Sequence, residues 1–333
     1  MEDYEIVYAA DDGFASIMGV SLLSLLENNQ DLENLRVTIF DSGISDENKE
    51  KIEEIFQKYD RKMPRWITST DIRKRLSLNV IKTDRGSLAQ YSRLYIQDYF
   101  ENDISRIVYL DCDTLILDSI KELFTMDLNN DVIAAVKDAF SKYYRKNINL
   151  SENDMMINSG VYVVDLNKWR NDHIENQITD FLIACKGNVQ QGDQGVLNAV
   201  LRGKIFPLSP KYNLMSIFYE YSYSELLKYR KPVNFYSKEE IQKAKNTPVI
   251  IHYTSAFNTI RPWYENSTHP KKNEWLHYYQ MSPWRNIALK YDNKKGIRKV
   301  FFKIYDFLPK NVALFIASVF QIYVRPLKNK LLS

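Results

Sequence analysis

The chain has 333 residues, 45% of them apolar and 26% charged, and only two are Cys. These figures exclude wholesale disorder and allow one large α/β domain with appendages, or two domains. Two Cys make neither a disulfide framework nor a structural zinc site, so a reducing compartment is expected. The net charge of +3 hides a division. Residues 285–333 hold 11 Lys plus Arg against two acids, a net of +9, which leaves 34 against 40 in 1–284, a net of −6. The segment Met1 to Glu5 has neither a basic nor a long apolar stretch, so no secretory leader is expected.

In chain order, Tyr4 to Ala10 reads as a short buried strand, broken by Asp11-Asp12-Gly13. Phe14 to Leu26 follows as an apolar helix. Arg36 to Asp41 is a second strand, and Ser45 opens a helix lined by Ile52, Ile55 and Phe56. Arg65 to Thr68 is a candidate third strand and Ser87 to Phe100 a helix. Arg106 to Leu110 is a strand ending on Asp111. Val132 to Val136 and Gly160 to Asp165 are further strands, with a helix from Asn167 into the 180s; Gly203 to Pro248 is the least regular part. Strands alternating with helices predict an α/β fold built on a mostly parallel, doubly wound sheet. Ligands bind such sheets beyond the carboxyl ends of strands, which directs attention to residues just after them.

Two strand ends are acidic, Asp11-Asp12 and Asp111-Cys112-Asp113. Where a strand end turns, carboxylates at i and i+2 can converge on one hard cation and leave positions open for phosphate oxygens; otherwise they are solvated loop acids. The apolar run into RIVYLDCDTLIL favours the metal. His252, after Pro248-Val249-Ile250-Ile251, also falls at a strand end, as a ligand or as a satisfied core histidine. His173 and His277 are expected to be structural.

The segments Ala9-Ala10-Asp11-Asp12, Asp41 to Ser45, LDCDTLIL, Ile157 to Val161, Gln191 to Gln194, and His252-Tyr253-Thr254 with Arg261-Pro262-Trp263 stand in this order along the chain. Together they resemble glycosyltransferase family 8, specifically bacterial lipooligosaccharide-type α-galactosyl- and α-glucosyltransferases. The resemblance covers roughly residues 4 to 280. It implies a single Rossmann-like nucleotide-sugar transferase domain of the A type and retaining transfer from a UDP-sugar. It also implies that Asp111, Asp113 and His252 hold Mn²⁺ (or Mg²⁺) against the diphosphate, with Cys112 as the spacer. Ala9, Asp11 and Phe14 would form the uridine pocket, and Arg93 would reach sugar and phosphate. Arg261 falls at the basic position that contacts phosphate, and Asn158, Asp193 and Gln194 would line the donor sugar, with Gln194 beside the reacting carbon. Asp193 and Gln194 are accordingly the catalytic candidates. Three bland alternatives stand beside these: Phe14 as core, Arg93 as a surface ion pair, and Asp193 as a helix cap. Gly13 replaces the Asn of close relatives, and the segment Ser255 to Ile260 is longer than the usual link. Gln194 is a neutral amide, and no second carboxylate is recognisable beside it, so same-face attack by the acceptor is expected rather than double displacement.

The tail divides off at 285. Ile297, Val300, Phe301, Ile304 and Leu308 follow helical spacing, and Val312 to Val324 is uncharged. Thirteen helical residues span about 20 Å, short of the ~30 Å hydrocarbon core. A basic amphipathic helix of this kind lies on an anionic membrane surface; packing on the body is the alternative. The chain is thus expected to be a catalytic domain, 1–284, with a membrane-associating tail, 285–333, peripheral on the cytoplasmic face of the cell membrane. Its partners would be a UDP-sugar and a glycan or lipid-linked glycan acceptor, with no nucleic acid. Rivals are a self-glucosylating primer protein of glycogenin type and a non-catalytic nucleotide-sugar scaffold. A haloacid-dehalogenase phosphatase is disfavoured by Leu115 at its diagnostic position, and a nicotinamide enzyme by the lack of a GxGxxG after the first strand.

Overall fold

Strands that are apolar at every position need cover on both faces, and the architecture supplies it. The computed structural model describes residues 4–68, 91, 93–255, 259–293 and 307–332. Among the described residues ten strands run in chain order: β1 (Tyr4–Ala10), β2 (Leu35–Asp41), β3 (Arg65–Thr68), β4 (Arg106–Leu110), β5 (Thr114–Ile116), β6 (Ile133–Lys137), β7 (Ile157–Asp165), β8 (Ile205–Pro207), β9 (Leu214–Met215) and β10 (Ile250–His252). Seven form one sheet in the order β3-β2-β1-β4-β7-β6-β8, and three form a small one, β5-β10-β9. In the large sheet only β7 runs against its neighbours, β4 and β6. The expected mostly parallel sheet is therefore present, with one reversed strand at its centre.

Alternate side chains feed two cores. Ile6, Tyr8, Val108, Leu110, Val161 and Val163 join the helices Ala15–Glu27 and Asp46–Lys58 on one face. Val7, Ile107, Tyr109, Tyr162 and Val164 meet Trp169, Ile178 and Leu197 on the other. The first helix is buried nearly all round. A Cβ on Gly19 would lie 2.2 Å from Trp284 Cζ3, so the absent side chain is what lets that indole close the helix face. Ser45 caps the second helix as expected, and Ile52, Ile55 and Phe56 are its buried stripe.

Some expectations change. The helix from Asn167 is two helices, Leu166–Asn171 and Ile174–Ala184. His173, at φ 51°, breaks them in a left-handed turn, and this redirects Ile174, Ile178 and Leu182 into the core. Residues 203–248 are regular, holding β8, β9 and the helices Ser216–Glu220, Tyr223–Arg230 and Lys238–Asn246. The last two open with reciprocal Ser222/Glu225 and Ser237/Glu240 caps, an S-x-x-E signature visible in the sequence. Of the helix expected over Ser87 to Phe100, residues 87–90 and 92 lie outside the described residues, and 93–100 are not a continuous helix but turns with a single 3₁₀ turn, Gln97–Tyr99. Ile297, Val300, Phe301 and Ile304 also lie outside them.

The tail is helical from Lys310 to Leu332, with a π-helical turn over Phe320–Val324. Pro326 has no N–H to give the preceding turn, which accounts for the widened coil there. One side packs on the body. Ala313, Leu314, Ala317 and Ile322 are buried, Lys310 Nζ lies 2.6 Å from Glu225 Oε1, and Tyr144 donates to the Gln321 carbonyl at 3.0 Å. The other side leaves Val312, Phe315, Val319, Phe320, Tyr323 and Leu327 exposed, Phe315 by 67%. Among the described residues no helix is long and apolar enough to cross a membrane.

Candidate active site

The acidic triplet sits where the chain passes from one sheet to the other. β4 ends at Leu110 in the large sheet, β5 begins at Thr114 in the small one, and Asp111-Cys112-Asp113 is the turn between them. Thr114 closes that turn by donating its N–H and hydroxyl to the Asp111 carbonyl at 3.2 and 2.8 Å. β10 pairs antiparallel with β5 and sets His252 opposite Thr114, while Tyr253 N–H donates to the Asp113 carbonyl at 2.8 Å. His252 Nε2 consequently lies 3.1 Å from Asp113 Oδ1 and 3.6 Å from Asp111 Oδ2. β7 passes behind. A Cβ on Gly160 would stand 2.1 Å from His252 Cε1 and 2.9 Å from Asp111 Oδ2, so only glycine leaves room for the three groups to meet.

His252 is 3% exposed, and its Nδ1 is 2.9 Å from Asn213 Oδ1. The Asn213 amide is oriented by donation of its Nδ2 to Asn158 Oδ1 at 2.9 Å, so its oxygen faces the ring and accepts from Nδ1–H. That leaves Nε2 turned to the carboxylates. Burial alone would lower the pKa of this imidazole, but Asp113 and Asp111 outweigh it and raise it. Burial likewise opposes ionisation of Asp113, and the charges of His252 and Arg261 overcome it and hold the carboxyl low. The donor set fits a divalent ion. The three ligand atoms lie within 4.8 Å of one another. Adjacent ligands on an octahedral ion at ~2.1 Å stand about 3 Å apart. Two carboxylates and one imidazole are oxygen and nitrogen donors, suited to a hard or borderline divalent ion rather than a thiophilic one.

Arg93 is not a surface ion pair. Its Nη1 is 2.7 Å from Asp111 Oδ1 and 3.4 Å from Asp193 Oδ2, and its guanidinium lies 4.4 Å over the Tyr109 ring. Losing one partner of such a buried pair costs on the order of 3–5 kcal/mol, because the other charge is stranded. Asp193 begins the helix Asp193–Val200, but the N-cap is Gly192 and has no side-chain bond to the helix. The Asp193 carboxylate instead accepts from Ser159 Oγ at 3.0 Å, and burial raises its pKa against the pull of Arg93. The Gln194 amide oxygen accepts from Asn158 Nδ2 at 3.2 Å, and its nitrogen donates to Asp138 Oδ2 at 3.3 Å. Arg261 reaches to 3.8 Å from Asp113 Oδ2 and lies over Trp263.

These side chains line a single cleft of about 450 Å³, with Ala9, Asp11 and Phe14. Phe14 is 38% exposed, so it is not the first core residue of its helix, and Asp11 accepts from the Phe14 N–H at 3.2 Å. Asp12 turns away to Ser45 and Asn48. Cys112 points its thiol at the Ala9 carbonyl, 3.2 Å away, and burial raises its pKa, as befits a spacer. Every site residue named from the sequence is thus in or beside one cleft. Sequence reasoning missed Asp138, Ser159, Gly160 and Asn213. Asp138 follows β6 immediately and was accessible by the strand-end rule. It also supplies a second carboxylate at Gln194, which the sequence did not reveal. Asn213 carries no signal of its own.

The profile of Glycosyl transferase family 8 matches residues 5–267. The chain belongs to glycosyltransferase family 8. It is therefore a retaining glycosyltransferase. It is 27% identical to General stress protein A of Bacillus subtilis over 86% of this chain and 96% of that protein. It is 26% identical to a lipopolysaccharide 1,2-glucosyltransferase of Escherichia coli K12, over 86% and 80% of the two chains. The fold is that of the galactosyltransferase LgtC, solved with donor and acceptor sugar analogues. That match has a TM-score of 0.69 and 23% identity, over 84% of this chain and 99% of that one.

Asn213→Ala removes the acceptor that orients His252, and is expected to weaken Mn²⁺ binding about 10- to 100-fold. Titration calorimetry on the folded variant checks this; unchanged affinity would contradict an orienting role for that bond.

Proposed function

We propose that the protein transfers a hexose, glucose or galactose, from a UDP-sugar to a glycan acceptor of a cell-surface polysaccharide, glycolipid or glycoprotein. The observation that carries this is the meeting of Asp111, Asp113 and His252 with the Asn158–Asp193–Gln194 cluster in one cleft. Mn²⁺ or Mg²⁺ held by the first three would supply Lewis-acid neutralisation of the charge that builds on the departing diphosphate. In this reading Phe14, exposed at the cleft edge, stacks on uracil, with Ala9 and Asp11 beside it. Arg93 and Arg261 take phosphate and sugar oxygens, the planar guanidinium suiting paired contacts. Asn158, Asp193 and Gln194, with Asp138, hold the hexose hydroxyls.

The acceptor hydroxyl then attacks the anomeric carbon from the face that UDP leaves, and its proton passes to the departing phosphate oxygen. The hydrogen bonding of the cleft supports this over double displacement. Asp193 is engaged by Arg93 and Ser159, and both Asp138 oxygens accept hydrogen bonds. Gln194 carries no charge. The test is UDP release from a panel of UDP-sugars with Mn²⁺ and no acceptor. Slow hydrolysis of UDP-glucose or UDP-galactose, lost in Asp113→Asn, is expected; the absence of both hydrolysis and UDP binding would overturn the assignment.

We further assign catalysis to 1–284 and attachment to the cytoplasmic face of the membrane to 285–333. The net charge of +9 and the exposed stripe Phe315, Val319, Phe320, Tyr323 and Leu327 support that assignment. Phe315→Glu with Phe320→Glu is expected to abolish sedimentation with vesicles containing anionic lipid and to leave donor hydrolysis intact. Full retention on the vesicles would count against the tail as the anchor.

A further inference from the structure

Two arginines from distant parts of the chain share the wall of the cleft, and the donor chemistry above leaves both unused. Arg230 closes the helix Tyr223–Arg230, and Arg325 is brought in by the C-terminal helix; both line the same cleft as Asp138, Asn158 and Gln194. Phe140, two residues past Asp138, links the sugar-facing cluster to them, with the Arg230 guanidinium 5.8 Å from its ring. Between the two arginines stands Gln321, 4% exposed. In the amide orientation that satisfies its neighbours, its oxygen accepts from Arg230 and, at 3.3 Å, from Arg325. Among the described residues no carboxylate comes within ion-pair distance of either guanidinium. The Arg230 Nε is buried without a hydrogen-bond partner. Glu220 feels the Arg230 charge, but burial pushes its carboxyl up to about 7, which makes it a weak counter-ion.

Two like charges sharing one neutral amide in a low-dielectric cleft are unfavourable on their own and become favourable when an anion enters. The donor diphosphate has cations of its own in Arg93, Arg261 and the metal. We propose that Arg230 and Arg325 form an anion subsite for the acceptor, selecting a glycan that carries a phosphate group beside the hydroxyl to be glycosylated. This rests on the transferase reading above and names its acceptor class. It also gives the tail a second task, since without its C-terminal helix the acceptor site lacks half of the pair.

The test uses the full chain saturated with Mn²⁺ and UDP, titrated calorimetrically with glucose, galactose and their 1- and 6-phosphates. At least one sugar phosphate is expected to bind about tenfold tighter than its parent sugar, the gain of one charge-assisted contact. Arg325→Gln and Arg230→Gln should each erase that preference and leave the affinity for UDP within about twofold, and Arg325→Lys should restore part of it. No preference in the wild-type protein, or a preference that survives both Gln variants, overturns the subsite. Weakened UDP binding in the variants overturns it too, by assigning the pair to the donor. Inorganic phosphate titrated without UDP separates the two readings. Failure of UDP to bind removes the donor assignment, whereas equal phosphate affinity in wild type and Arg325→Gln removes the anion subsite.

Discussion

The pairing of β5 with β10 is the constraint on which the site depends. The large sheet delivers Asp111 at the end of β4, and His252 reaches the same point from the small sheet. By leaving the large sheet at Asp111 and entering the small one at Thr114, the chain makes a corner whose far side is β10. The register His252 opposite Thr114 then places an imidazole against both carboxylates. Gly160 on β7 permits that approach, and Asn213, just before β9, orients the ring. Four strands from two sheets are therefore needed to hold three ligands.

The same corner organises the electrostatics of the cleft. Asp111, Asp113 and Asp193 are taken from water together, which is unfavourable unless cations share the space. Arg93 bridges Asp111 and Asp193 across the floor, and Arg261 and the His252 imidazole face Asp113. Arg230 and Arg325 stand apart from this balance, which is why they are read as serving a different ligand. The tail shows an apolar stripe to the exterior and contributes Arg325 to the cleft, so under the proposals above it would couple the anchoring surface to the acceptor end of the site.

Much of this was legible in the chain. Continuous apolar runs such as Ile107 to Leu110 and Ile6 to Ala10 mark strands covered on both faces, and the acids that follow them mark the ligand edge of the sheet. The motifs held Asp111, Asp113, His252, Asp193 and Gln194 because each lies at the end of a strand or the start of a helix, where local chemistry leaves a signature. Asn213 and Gly160 act through contacts made across different strands, and a lone Asn or Gly in a sequence says nothing about what approaches it. The division of the helix at His173 escaped because the preceding residues, Trp169-Arg170-Asn171-Asp172, are compatible with helix, and only the demand to bury Ile174 and Ile178 forces the turn. The regular structure in 203–248 was written in its two S-x-x-E caps and was hidden by the short length of its elements.

The claim at the centre is that the end of β10 and the β4–β5 corner share one ion. Pulsed electron paramagnetic resonance of Mn²⁺ bound to the full chain with UDP tests it most directly, since coupling to a directly bonded imidazole nitrogen reports a histidine ligand. The account predicts one such coupling in the wild-type protein and its loss in His252→Gln. A Mn²⁺ spectrum without nitrogen coupling, or coupling that persists in His252→Gln, would contradict it.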